Sequence, residues 1–189
     1  EAVATDPSIY EPILGPSRAP SAGEGVVIYG RSLAVFLDLP LLDGDEIPWA
    51  PYAAAFASPW PGAGLIFRSA GDSDYALDTT LSLPSAIGET TADFYSGPAW
   101  RWDDANAVVV TLYGGALAGE PQLGVLNGAN VAAIGTSATG YEVIQFSDAT
   151  LVAANTWRLT GLLRGQAGTT DIAAAGNAAG ATFVLIDRA

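Results

Sequence analysis

Gly and Pro cut this chain into short apolar runs, and that punctuation limits the possible folds more than any other feature. Residues 107–113 (AVVVTLY) are the plainest case, a β-branched run stopped by Gly114-Gly115. β-branched side chains pack well on a pleated surface, so the run predicts a strand. Residues 33–39 form a similar run ended by Pro40, and residues 75–81 form another. Residues 52–58 (YAAAFAS) and 64–69 (GLIFRS) flank Pro59-Trp60-Pro61-Gly62, a pattern that predicts a hairpin. Residues 124–126 and 130–134 flank Asn127-Gly128, a tight-turn dipeptide, and are expected to pair in the same way. Strands are also expected at residues 142–146, 156–163 and 181–186. In residues 157–162 (WRLTGL), alternation puts Trp157, Leu159 and Gly161 on one face and Arg158, Thr160 and Leu162 on the other.

A single helix is hinted at over residues 171–179, with Asp171 as its cap and Gly176 as its weak point. Many short strands and no long amphipathic helix predict an all-β fold, a sandwich or barrel of antiparallel strands. Residues 1–25 hold Pro7, Pro12, Pro16 and Pro20 among small residues and read as an extended arm or linker. The β-rich part is expected over residues 26–189, with a possible division into two packed subdomains near residue 97.

Composition removes whole classes of chemistry. His and Cys are both absent. Ser-His-Asp, Cys-His and His-metal or thiolate-metal sites are therefore excluded, as are disulfides. Lys is absent too, so all seven basic residues are Arg against 20 acids, a formal charge of −13. A basic face for nucleic acid is missing, and an anionic membrane surface would repel the chain. No apolar run reaches the about 18 residues of a membrane span. A chain with no Met is expected to be a segment of a longer polypeptide.

Three sets of residues invite a chemical reading. Arg164-Gly165-Gln166-Ala167-Gly168-Thr169 has the glycines of a phosphate loop without its Lys or following long helix, so it reads as a structural loop. Arg164 is expected to pin that loop, with a carboxylate such as Asp171 receiving the guanidinium; contact with a neighbouring subunit is its alternative. The acidic loops Asp43-Gly44-Asp45-Glu46 and Asp72-Ser73-Asp74 lack calcium-loop spacing and read as solvated turns. No metal and no cofactor is expected.

The third set is aromatic and acidic: Trp60, Trp100 and Trp102, with Asp103 and Asp104 beside the last two. If extended, Trp100-Arg101-Trp102 turns both indoles to one side, to seal a core or interface or to stack on sugar rings. Adjacent Asp103 and Asp104 would point to opposite faces and make a poor catalytic pair. A glycosidase would need two of Asp103, Asp104 and Glu142 about 5–10 Å apart across a cleft. No G-x-S-x-G elbow is present. The expectation is a building block without catalytic function.

Five blocks carry a family resemblance: Leu37-Asp38-Leu39-Pro40-Leu41-Leu42 with Glu46-Ile47-Pro48; Ser58-Pro59-Trp60-Pro61-Gly62; Leu126-Asn127-Gly128-Ala129-Asn130; Glu142-Val143-Ile144-Gln145-Phe146 with Ala149-Thr150-Leu151-Val152; and Leu162-Leu163-Arg164-Gly165-Gln166-Ala167-Gly168-Thr169. In their order and number they resemble the C-terminal part of the tail-tip, or baseplate hub, proteins of siphovirus-like phages and gene transfer agents, the "megatron" type. The resemblance implies a β-rich structural component of a virion or gene transfer agent particle. It implies assembly as a homotrimer with other tail-tip or baseplate proteins, and a part in tail closure and in host attachment or DNA delivery. A carbohydrate- or receptor-binding β-module at the tail tip is the alternative, with a host glycan or receptor as partner. The resemblance carries no catalytic residue over to this chain.

Overall fold

A computed structural model describes residues 27–44 and 46–186; the arm expected over residues 1–25 lies outside them. The elements run β1 (Leu33–Leu37), β2 (Tyr52–Phe56), β3 (Gly64–Arg68), β4 (Ala76–Leu81), β5 (Ile87–Thr90), β6 (Trp102–Asp103), β7 (Val108–Leu112), α1 (Gln122–Leu126), β8 (Val131–Thr136), β9 (Gly140–Ala153), β10 (Thr156–Gln166), α2 (Thr170–Ala175) and β11 (Thr182–Ile186). The all-β expectation is met, and the sheet resolves to a barrel. Strand order β10-β7-β5-β11-β8-β9 returns to β10 through the β9–β10 pairing, and every pairing is antiparallel. Closure leaves these six strands without the open edges of a flat sheet. β6 adds to β10 beside the barrel, where Leu163 pairs with Trp102. Residue 97 falls between β5 and β6, within the stretch that builds the barrel.

Alternation fills the interior. Val108, Val110 and Leu112 of β7 meet Ala132 and Ile134 of β8, Ile144 and Phe146 of β9, and Phe183 of β11 in one buried cluster. The intervening residues of the same strands, Ala133 and Val184, join a second cluster with Leu37 and Ala54. The small β1–β2 sheet thus lies on the outer face of the barrel wall. Burial on both faces explains why β8 and β11 read as continuous apolar runs.

Gly161 breaks the alternation expected of β10. Its φ of +59° is open to glycine but costly for other residues, and an added Cβ would lie 2.0 Å from Ser147 Oγ. The left-handed residue resets the facing, so Leu159 and Leu162 both enter the core. The expected opposition of Leu159 and Leu162 is corrected accordingly.

Three other local expectations change. β2 and β3 do not form a hairpin: β2 pairs with β1, and β3 pairs with β4. Residues 57–63 are longer than a tight hairpin loop, and Pro59 and Pro61 offer no N–H to extend a ladder. Residues 124–126 belong to α1, not to a strand. Asn127-Gly128 ends that helix, with Gly128 N–H donating to Val125 O at 2.9 Å and Ala129 N–H to Gly124 O at 3.0 Å. In α2, Asp171 sits in the first turn and Thr169 holds the N-cap position, while Gly176 ends the helix. β5 and β6 have no counterpart among the expected strands.

Candidate functional site

Arg164 stands at the centre of the most polar buried site described. It follows Leu162 on the inward rank of β10, while Glu142 precedes Ile144 and Phe146 on the inward rank of β9. Both side chains are fully buried, and Asp103 of β6 is 1% exposed. Burial forces pairing, because an isolated charge away from water is very costly. Arg164 answers with a two-pronged contact: Nε donates to Glu142 Oε1 at 2.5 Å and an Nη to Oε2 at 2.9 Å. The other Nη donates to Tyr95 O at 3.0 Å and to Asp103 Oδ2 at 3.4 Å. The guanidinium carbon lies 3.6 Å from the centroid of the Phe94 ring, a cation–π stack.

The remaining carboxylate valences are also met. Gly165 N–H and Asn177 Nδ2 donate to Glu142 at 3.2 and 3.5 Å. Asn106 donates to Asp103 through its backbone N–H at 3.1 Å and Nδ2 at 2.8 Å. The cluster ties β9, β10 and β6 to the loop between β5 and β6, at one end of the barrel interior. Asp171, the expected acceptor for Arg164, does not take that place; Glu142 and Asp103 do.

The loop after Arg164 is shaped as its glycines imply. Gly165 has φ +59°, and a Cβ there would come within 2.9 Å of Thr170 Cα. Ala167 and Gly168 also have positive φ. Gln166 Nε2 donates to Arg164 O at 3.0 Å, and Thr169 Oγ1 donates to Gln166 O at 2.8 Å. Val143 N–H donates to Thr169 Oγ1 at 3.0 Å, which fastens the loop to β9. Parts of four sequence blocks then meet at one place. Leu41 and Leu42, Gly128, Val143 and Gln145, and Gln166 and Ala167 line a cavity of about 280 Å³.

The three tryptophans are not gathered into one face. Trp60 is half-buried near β3 and donates from Nε1 to Ser82 O at 3.2 Å. Trp102 is half-buried in β6. Trp100 is 91% exposed with φ +65°, so residues 100–102 are not extended throughout. Asp103 points inward to Arg164 and Asp104 is exposed, the opposition their adjacency implies.

Of the two acidic loops, Asp45 lies outside the described residues. Glu46 accepts from the N–H groups of Leu42, Asp43 and Gly44 at 2.9, 2.7 and 2.7 Å and from Tyr52 Oη at 2.6 Å. The Tyr52 hydrogen bond, then the backbone donors, hold its pKa down at about 2. Burial, with the Glu46 contact, pushes Tyr52 up to about 12. Asp72 accepts from Tyr75 Oη at 3.0 Å in an exposed turn. Among the described residues no set of three or more His, Cys, Asp or Glu is grouped to hold a metal, and no helix is long and apolar enough to cross a membrane.

Sequence reasoning missed Phe94, Tyr95, Asn106 and Asn177 and did not pair Glu142 with Arg164. One signal for that pair was present. Arg164 and Glu142 each interrupt an apolar strand (LTGLLRGQ and YEVIQF), and charges in such strands call for each other.

Fold and site together define a small closed antiparallel β-barrel with its buried charges gathered at one end. Residues 85–184 match the family described as Rcc01698-like, C-terminal, and the chain belongs to that family. The matched stretch runs from just before β5 into β11 and so coincides with the barrel. Comparison with the curated proteins gives no match.

Proposed function

We propose that this chain is a structural component of a phage-like tail tip or baseplate hub, in a virion or gene transfer agent particle. It would act there in assembly, tail closure and host attachment or DNA delivery. The observation that carries the reading is the family match across the barrel, in a chain whose sequence blocks resemble tail-tip hub proteins. The distribution of side chains supports it. The charged cluster at Arg164 spends its hydrogen bonds inside the fold, while large apolar groups such as Trp100, Tyr95, Leu65 and Phe67 remain outside. Exposed apolar surface of this kind suits contact with other protein chains. A density map of the intact particle tests the proposal. The barrel should dock at the distal end of the tail with its exposed aromatics against neighbouring chains. Finding the barrel absent from the particle, or with those aromatics facing solvent, would end the proposal.

A further inference from the structure

We infer that a second copy of this chain docks head to tail, its Trp100 entering the uncharged cavity beside β2 of the first. The two surfaces lie at opposite ends of the barrel. β5 and β7 are antiparallel, with Gly88 opposite Leu112 and Thr90 opposite Val110. Residues 95–101 follow β5 and precede β7, so Trp100 sits at one end. Residues 84–86 precede β5 and residues 114–116 follow β7, so the cavity they line sits at the other. A projection at one end and a hollow at the other cannot satisfy each other within one molecule. They can between copies, in a contact that pairs unlike surfaces and either closes a ring or grows.

Each surface fits the role. The projection is rigid: the guanidinium of Arg164 holds Tyr95 O and Asp103 on either side of Trp100. Trp100 takes a left-handed backbone that bulky residues rarely adopt, and presents its indole 91% exposed beside Tyr95 at 70%. Trp, Tyr and Arg dominate the energetic centres of protein contacts, and Tyr95, Trp100 and Arg101 fall together here. The hollow has a volume of about 570 Å³, and Leu37, Tyr52, Phe56, Leu81, Leu83 and Val184 are among its walls. None of its lining residues is charged. For a chain of formal charge −13, an uncharged hollow is where a second copy can seat without opposing acids at the contact.

The inference depends on the assembly reading only in taking the partner to be a protein chain. The test uses the full chain in sedimentation and light scattering at physiological salt. Wild type should associate as concentration rises. Trp100→Ala, which removes the projection, and Ala116→Arg, which blocks the mouth of the hollow from an exposed loop, should each remain monomeric with unchanged melting. Mixing the two variants should restore a one-to-one dimer, because only the intact indole of one and the intact hollow of the other can pair. A monomeric wild type up to millimolar concentration, a Trp100→Ala chain that still associates, or a mixture that stays monomeric overturns the contact. Association through another face would overturn this contact and leave the tail-tip reading standing, which the particle map tests separately.

Discussion

Replacing Arg164 by Met should be among the most damaging single changes this barrel can suffer. Met keeps most of the side-chain volume, so the loss is electrostatic more than steric. It removes the two contacts to Glu142, the contact to Asp103, the bond to Tyr95 O and the stack on Phe94. Glu142 and Asp103 stay behind, both essentially excluded from solvent. Breaking a buried ion pair by deleting one partner costs about 3–5 kcal/mol. At about 2–4 °C per kcal/mol for a domain of about 150–250 residues, the melting temperature should fall by roughly 6–20 °C. Circular dichroism melts and urea titrations measure both quantities. The control is the double variant Arg164→Met with Glu142→Gln, which removes the stranded acid as well. It should be more stable than the sum of the single changes, with a coupling of at least ~1 kcal/mol. If Arg164→Met melts within about 2 °C of wild type, or if the two changes simply add, the cluster is not the clamp described here.

Two further outcomes follow from local geometry. Gly161→Ala should destabilise by about 1–3 kcal/mol, because it combines a left-handed backbone with a Cβ that meets Ser147; an Ala variant melting like wild type would contradict the facing change in β10. Glu46 has a folded pKa near 2, below its ordinary value of 4.5. A depressed carboxylate contributes its stability in full above the unfolded value and loses it as pH falls through the folded one. The order of the loop around Glu46 should therefore decline between about pH 4.5 and pH 2, and Glu46→Gln should abolish that dependence. An NMR titration placing Glu46 near 4.5 would refute the hydrogen-bond account.

The strands that sequence revealed are those whose reasons are local. In β7 the β-branched run and the Gly114-Gly115 stop act within a few residues, and the strand appears as expected. β11 and the start of β10 are similar. The failures share another cause: the deciding partner is distant. β2 looked like half of a hairpin, but its neighbour is β1, and both lie on the barrel wall through Leu37, Ala54 and Val184. β6 is two residues long and exists because Leu162 and Leu163 of β10 offer it a ladder. Asn127-Gly128 marked a real reversal, but a helix end and a hairpin turn both favour such residues, and the dipeptide alone does not separate them.

The site shows the same division at the level of charge. Glycine spacing was enough to mark residues 164–169 as a structural loop, because positive φ is a local demand. It was not enough to choose the acid that meets Arg164. Asp171 is near in sequence, but it lies on the first turn of α2 and is exposed. Glu142 is 22 residues away, yet the β9–β10 ladder sets Leu162 against Phe146 and so carries Glu142 and Arg164 toward one end of the barrel. A buried Arg selects its partner through sheet register, not sequence distance. The same register accounts for Asp103, because Leu162 pairs with it across β6 and Arg164 lies two residues further along the same rank. One guanidinium therefore joins three strands and steadies the loop that carries Trp100, which links the interior of the barrel to its most exposed aromatic side chain.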